Sequence, residues 1–188
     1  TTALANSIDN DYTALGADPI DTVISSTEVT INQTGRLLQA GDTVTLSGAA
    51  TTNGVPNTEI NATQIVRTVP DANSFTITVT TAATSTGSGG GASVVSASGI
   101  IVVTDTAHGL SDGDRVTLAA SSAVGGITAL QINLEHIIRS TDTNDYQIVT
   151  AGTATSSVSA GGGASTTRQE QIAAGSCDAS AGRGYGMA

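Results

Sequence analysis

Along this chain apolar residues alternate with Thr, Ser or other polar residues over runs of four to seven positions, the period of a strand with one buried face. Val29/Ile31, Val44/Leu46 and Phe75/Ile77/Val79 form three such sets, and Ile101/Val103, Val116/Leu118 and Tyr146/Ile148 form three more. A fourth strand is predicted around Gln64 to Val69, and again around His136 to Thr141. β-Branched residues dominate these runs, so propensity agrees with period. Gln39-Ala40-Gly41-Asp42 and Ser111-Asp112-Gly113-Asp114 place a Gly where the chain must reverse before a strand. Asp71-Ala72-Asn73-Ser74 and Asp142-Thr143-Asn144-Asp145 are turn formers in hairpin positions. One competing pattern stands at Thr128 to Ile138, where Leu130, Leu134, Ile137 and Ile138 have helical spacing. Its counterpart, Val55 to Val66, contains Pro56 and lacks that spacing, so both are read as a loop leading into a strand.

The two halves carry one pattern twice. Gly41 to Leu46 reads GDTVTL and Gly113 to Leu118 reads GDRVTL, 72 residues on, and the same offset joins Leu38 to Leu110, Ile60-Asn61 to Ile132-Asn133 and Arg67 to Arg139. It slips to 71 over Asp71–Ile77 and Asp142–Ile148, then returns at the Gly-rich segments Gly89–Ser93 and Gly161–Ser165. Such self-similarity marks a tandem array. The expected organisation is an N-terminal arm over 1–17, a first β-repeat over 18–95 with a Gly/Ser-rich boundary, a second over 96–166, and a Gly-rich tail over 167–188. The Gly/Ser/Thr/Ala-rich stretches 82–97 and 152–167 recur at the same place in both copies, which predicts an ordered closing segment in each unit rather than pure linker. The predicted fold class is all-β: two small barrel or sandwich domains with extended arms.

Composition sharpens this picture. The full chain has 188 residues, so each repeat is a small unit that buries only about 60% of its unfolded surface and gains from a neighbour. With one Phe, three Tyr and no Trp, the core falls to Val, Ile, Leu and Thr. All six basic residues are scattered arginines against sixteen acidic ones, net charge −10. Nucleic-acid binding needs clustered cations, so it is disfavoured, and the charge reads as solubility at high local concentration. The lone Cys177 permits no intrachain disulfide. No apolar run approaches the roughly 20 residues of a membrane helix, and no basic-then-apolar signal segment opens the chain. The first residue is Thr1 rather than Met, which points to processing or to a fragment of something longer. The sequons at Asn32 and Asn61 would matter only in a eukaryotic secretory setting.

Candidate chemistry is thin. His108 and His136 are matched in the first copy by Arg36 and Gln64; a duplicated site would keep its residue type, so both are read as surface or strand-edge side chains. No serine, cysteine or carboxylate pair forms a nucleophile arrangement, so no catalytic, cofactor or metal residues are assigned. Asp9-Asn10-Asp11 begins like a calcium loop but lacks the sixth-position glycine and twelfth-position Glu. Asp112/Asp114 and Asp142/Asn144/Asp145 offer oxygen ligands, and equally offer turn hydrogen bonds. Gly87–Gly91 and Gly161–Gly163 lack the Lys-Ser/Thr of a phosphate loop; small side chains there allow close backbone approach. The loops Ser47 to Glu59 and Ala119 to Gln131 are the places a glycan-binding module would use, yet they hold no aromatic face.

The unit VTINQTGRLLQAGDTVTLSGA and IVVTDTAHGLSDGDRVTLAAS, each followed by a Gly/Ser-rich closing run, resembles a repeat of structural proteins in tailed bacteriophages, itself similar to the small β-barrel called the first catalytic cysteine half-domain of ubiquitin-activating enzymes. The resemblance covers about Asp18 to Thr166, and its most specific element is Ala107-His108-Gly109-Leu110-Ser111-Asp112-Gly113-Asp114. Gly182 to Met187 resembles the start of the Gly-aromatic tail that follows such repeats. It implies a non-enzymatic virion component of the tail or head-to-tail connection, self-associating in many copies and contacting other virion proteins, with a host-glycan adhesin as the alternative. Under that reading the two ends, Thr1 to Ala17 and Thr166 to Ala188, order only against neighbours.

Overall fold

A computed structural model describes residues 1–35 and 37–170. Cys177, Arg183, Arg36 and the Gly-aromatic tail lie outside the described residues. The all-β expectation holds: strands dominate, all paired antiparallel in three sheets, and each sheet stays open rather than closing into a barrel.

The strands are β1 (Thr2–Ala3), β2 (Ile8–Ala14), β3 (Ile20–Thr22), β4 (Glu28–Asn32), β5 (Thr43–Ser47), β6 (Thr63–Ile65), β7 (Thr68–Asp71), β8 (Ser74–Thr78), β9 (Gly87–Gly89), β10 (Val95–Thr104), β11 (Arg115–Ala119), β12 (Glu135–Ile137), β13 (Asp145–Val149) and β14 (Thr167–Glu170). One sheet runs β7-β8-β4-β3-β9, another β1-β14-β11-β12, and the sheet between them β13-β10-β5-β6 with β2 alongside β10. Two separate cores result. Unit one buries Ile20, Val29, Ile31, Val44, Phe75 and Ile77 among others. Unit two buries Leu4, Ile8, Ile101, Val116, Tyr146 and Ile148. Each predicted alternating set sends its apolar face into one of these cores, as a half-buried strand requires.

The middle sheet belongs to both units. The first half of β10 pairs with β5 of unit one (Val95↔Ser47 to Ser98↔Val44), and its second half pairs with β13 of unit two (Ile100↔Val149 to Thr104↔Asp145). Strand β2 runs antiparallel along both halves, with a register shift between Ala97 and Ile101. Gly99 sits at that crossing, where a Cβ would lie 2.4 Å from the carbonyl oxygens of Thr150 and Gly152. A side chain there would force the two strands apart.

The N-terminal segment corrects the expectation of an arm. Residues 2–3 and 8–14 are the strands β1 and β2, and the first part of this segment serves unit two. Ile8 pairs with Val103 and bridges to Gly161, while Ile20 pairs with Ile31 and bridges to Gly89. These partners stand 72 residues apart, so Ile8-Asp9-Asn10 is to unit two what Ile20-Asp21-Thr22 is to unit one. The preceding residues repeat the relation: Leu4 N–H donates to Thr166 O (2.8 Å) and Leu15 N–H to Val94 O (2.9 Å). The chain thus carries two short leaders, Thr2-Ala3-Leu4…Ile8-Asp9 and Thr13-Ala14-Leu15…Ile20-Asp21, and the first leader completes the second unit. Likewise residues 167–170, expected in the tail, form β14 and pair with β11 as Val95–Ser98 pairs with β5.

The Gly-rich closing segments are ordered, as expected. Gly90 (φ +104°) and Gly162 (φ +85°) lie where a Cβ would come within 2.8 Å of the Cδ1 of Ile20 and Ile8, so each segment seals its leader against the core. The Val55–Val66 and Thr128–Ile138 segments differ from the reading as plain loops, since each holds a four-residue helix, α1 (Asn57–Ile60) and α2 (Ala129–Ile132). Pro56 stands before the first helix, where its missing N–H costs nothing. Gln131 Oε1 accepts from the Thr128 N–H at 3.0 Å and starts the second. The turn then hides Ile60 and Ile132 while Leu130 and Leu134 stay exposed.

Candidate functional site at the junction of the units

The most developed polar constellation lies where the units meet. The turn before β5 carries Gly41 at φ +92°, a left-handed position that glycine adopts without strain. This conformation lets Asp42 Oδ2 accept from the Gln39 N–H at 2.6 Å and still face unit two. There Arg139, just after β12, donates from both terminal nitrogens to the two Asp42 oxygens at 2.7 and 2.6 Å, and from Nε to Gln147 Oε1 at 3.3 Å. The Asp42 and Arg139 side chains are only 12% and 21% exposed, so the forked, charge-assisted pair is shielded from solvent. Gln39 Nε2 adds a bond to Ser140 Oγ at 2.8 Å.

Beneath the paired strands lies a buried carboxylate. Asp11 on β2 accepts from Ser98 Oγ at 2.6 Å and from Gln33 Nε2 at 3.4 Å. Burial pushes its pKa above the ordinary aspartate value, and the Ser98 and Gln33 hydrogen bonds offset part of that rise. In unit two the corresponding depth holds a buried ion pair, Arg168 Nε to Asp105 Oδ2 at 2.5 Å. Tyr146 lies close by: desolvation first, then the Asp105 charge, push its hydroxyl well above the usual tyrosine range. Its ring stands nearly perpendicular to that of His108, with 5.4 Å between centroids.

The residues singled out from sequence find structural partners. His108 and His136 are both buried, which corrects the surface reading. His136 does lie on edge strand β12, but it points inward and its Nε2–H donates to Ile132 O at 2.9 Å; burial holds its pKa below the usual histidine value. Its counterpart Gln64 donates to Glu59 O at 2.6 Å, so the exchanged pair keeps one task, satisfying a carbonyl of the short helix. His108 Nδ1 accepts from the Leu110 N–H at 2.9 Å. Asp9 and Asn10 clamp the closing segment of unit two, through Ala160 N–H to Asp9 Oδ1 (2.6 Å), Val158 N–H to Asn10 Oδ1 (2.8 Å) and Asn10 Nδ2 to Ser156 O (2.7 Å). Asp112 accepts from the Thr141 N–H and hydroxyl, and Asp142 from the Asn144 and Asp145 N–H groups; these bonds hold both carboxyls below the ordinary range. Among the described residues no group of three or more His, Cys, Asp or Glu is placed to hold a metal ion. In the two loops considered for glycans, Thr52 bridges to Val55 and Val124 to Ile127, and all four residues are buried.

Sequence reasoning missed Arg139, Arg168 and the junction role of Asp11. Arg139 has a signal, because it repeats Arg67; Arg168 has none, since Ser96 stands at the equivalent place.

No protein-family model matches the chain, and no curated protein matches it. Among solved structures, the chain is similar to phage phi92 endosialidase at 26% identity over 45% of this chain and 12% of that one, with a TM-score of 0.38. The likeness thus spans a small part of that protein, whose name describes its own activity.

Proposed function

We propose that this protein is a non-enzymatic structural component of a phage particle, of the tail or of the head-to-tail connection, present in many copies. The phage assignment rests on the resemblance of the two copies to tailed-phage repeats. The observation that carries the structural role is the interleaving: two small units share β10 and β2, and the first leader completes the distal unit. A chain built this way is continuous along its length, with no hinge of free linker between units, and suits a load-bearing rod better than a module tethered to present a loop. Its buried polar groups are spent on holding strands together. Antibody labelling of gradient-purified particles tests the reading. Label on tails or connectors supports it. Its absence from particles, together with hits on a glycan array, would replace it with a host-surface binding module.

A further inference from the structure

The contact that joins the two units has a second, unused copy of each half. Unit one offers the turn Gly41-Asp42-Thr43; unit two receives it through Arg139, which holds Asp42, and through Val149 and Thr150, which line a cleft with that turn. The duplicate turn, Gly113-Asp114-Arg115, stands exposed on unit two. Its shape is the same: Gly113 has φ +92°, as Gly41 does, and Asp114 Oδ2 accepts from the Ser111 N–H at 2.8 Å. Its backbone is anchored alike, with Gly113 N–H to Ile138 O at 2.9 Å matching Gly41 N–H to Val66 O at 2.8 Å. The duplicate receptor is on unit one. Arg67 N–H donates to Thr76 O at 2.8 Å as Arg139 N–H does to Gln147 O at 3.0 Å, and Arg67, Ile65 and Thr78 line an open groove. The Arg67 side chain is 62% exposed and, among the described residues, pairs loosely with Glu28, itself half exposed, at 3.6 Å. The turn between β3 and β4, just before Glu28, exposes Val23 and Ile24, so the same end also offers apolar surface.

We propose that copies of this chain associate head to tail by repeating their internal junction, the Gly113–Arg115 turn of one copy seating in the Arg67 groove of the next with Asp114 paired to Arg67. The partner is a second copy of the chain, argued from charge complementarity and from the junction already formed inside each molecule. Such a contact is heterologous, so it propagates into a filament or closes into a ring. It lacks the two strands that cross the internal junction and is therefore weak between single copies, gaining strength by repetition. The inference rests on the structural reading above and names its partner.

The charge geometry gives a stringent test by sedimentation velocity of the whole chain, from low to high micromolar concentration. Wild type is expected to sediment faster as concentration rises, and this association should fade as added salt screens the pair. Asp114→Arg alone and Arg67→Asp alone each place like charges at every joint and should remain monomeric. An equimolar mixture of the two makes every joint between unlike copies complementary and should associate again, as should a single chain carrying both changes; that recovery also shows that the variants fold. Glu28→Ala, which removes the competing partner of Arg67, should strengthen association. A wild type that stays monomeric throughout, or single variants that associate like wild type, overturns the proposal. Association without particle labelling would sink only the virion reading, and particle labelling without association only this one.

Discussion

Units one and two share register, turns and leaders, yet they fill one buried position differently. Where unit one has Gln33, Phe75 and Ser96, unit two has Asp105, Tyr146 and Arg168. In unit one the neutral groups leave Gln33 Oε1 and Ser96 Oγ without hydrogen-bond partners among the described residues, and the buried Asp11 nearby is held by neutral donors. In unit two an ion pair occupies the space, with the Tyr146 hydroxyl beside it. The same fold therefore tolerates a neutral or a charged plug, provided the charge is paired. Burying two charges costs several kcal/mol each before they attract one another, so the pair does not make unit two the more stable unit. It makes unit two the less tolerant of losing one partner.

The largest expected effect follows from that intolerance. Arg168→Ala strands a buried Asp105 and should destabilise unit two by about 3–5 kcal/mol, whereas Ser96→Ala removes a hydroxyl with no partner and should leave unit one near its original stability. Hydrogen exchange read separately on peptides from each unit checks this; equal losses would end the contrast. Next, Ile8→Ala and Ile20→Ala should each cost about 3 kcal/mol through an unfilled cavity, but in opposite units. Ile8→Ala should deprotect strands β11 and β13 first. If it loosens β4 and β8 instead, the crossed order of the leaders is wrong. Smaller again, Asp42→Ala removes a shielded forked pair and should cost about 1–2 kcal/mol, against no measurable change for Asp114→Ala in the dilute monomer, both read from urea midpoints.

Asp11 supplies a pH signature. Its folded pKa lies above its unfolded value, so the folded state holds the proton more tightly and this group's contribution to stability improves as pH falls from neutrality through the folded pKa. Asp112 and Asp142, with lowered pKa values, act in the opposite sense: what they contribute is present above the unfolded value and is lost as pH falls through the folded one. Asp11→Asn should raise stability at pH 7 and make the acid side of the stability curve fall more steeply, because only the opposing groups remain. A loss of stability at pH 7 would show that the charged form is required. The smallest effect belongs to Ala120, which holds φ +58° where unit one has Gly48 at +76°. Ala120→Gly should add about 0.5–1 kcal/mol by relieving the left-handed strain, measured as a small rise in Tm.

Much of this is legible in the sequence. Alternation located β4, β5, β8, the second half of β10, β11 and β13, because a strand with one buried face must repeat its apolar residues every second position whatever its partners; the fourth strand expected over Gln64 to Val69 and His136 to Thr141 is instead broken, into β6 and β7 in unit one and β12 with a lone Arg139–Gln147 bridge in unit two. The leaders were not legible as such. Thr2-Ala3-Leu4 and Thr13-Ala14-Leu15 are a visible short repeat, but three residues of ordinary composition carry little signal, and the first leader does not stand next to the unit it completes. The histidines were misplaced for a related reason: exchange of His136 for Gln64 argues against shared chemistry, but both can donate one hydrogen bond to a helix carbonyl, a role that residue type alone does not announce.

By itself, then, the sequence determined the β-structure, the correspondence between the two copies and the closing role of the glycines, since each follows from local period, turn chemistry and self-similarity. Tertiary structure alone decided that the first leader serves the second unit, that β10 belongs half to each core, and that Asp42 meets Arg139 across the junction. Those outcomes depend on hydrogen bonds between strands far apart along the chain. The free energy of such pairing is set by which edges are left open once the local hairpins have formed, not by anything written at either strand alone.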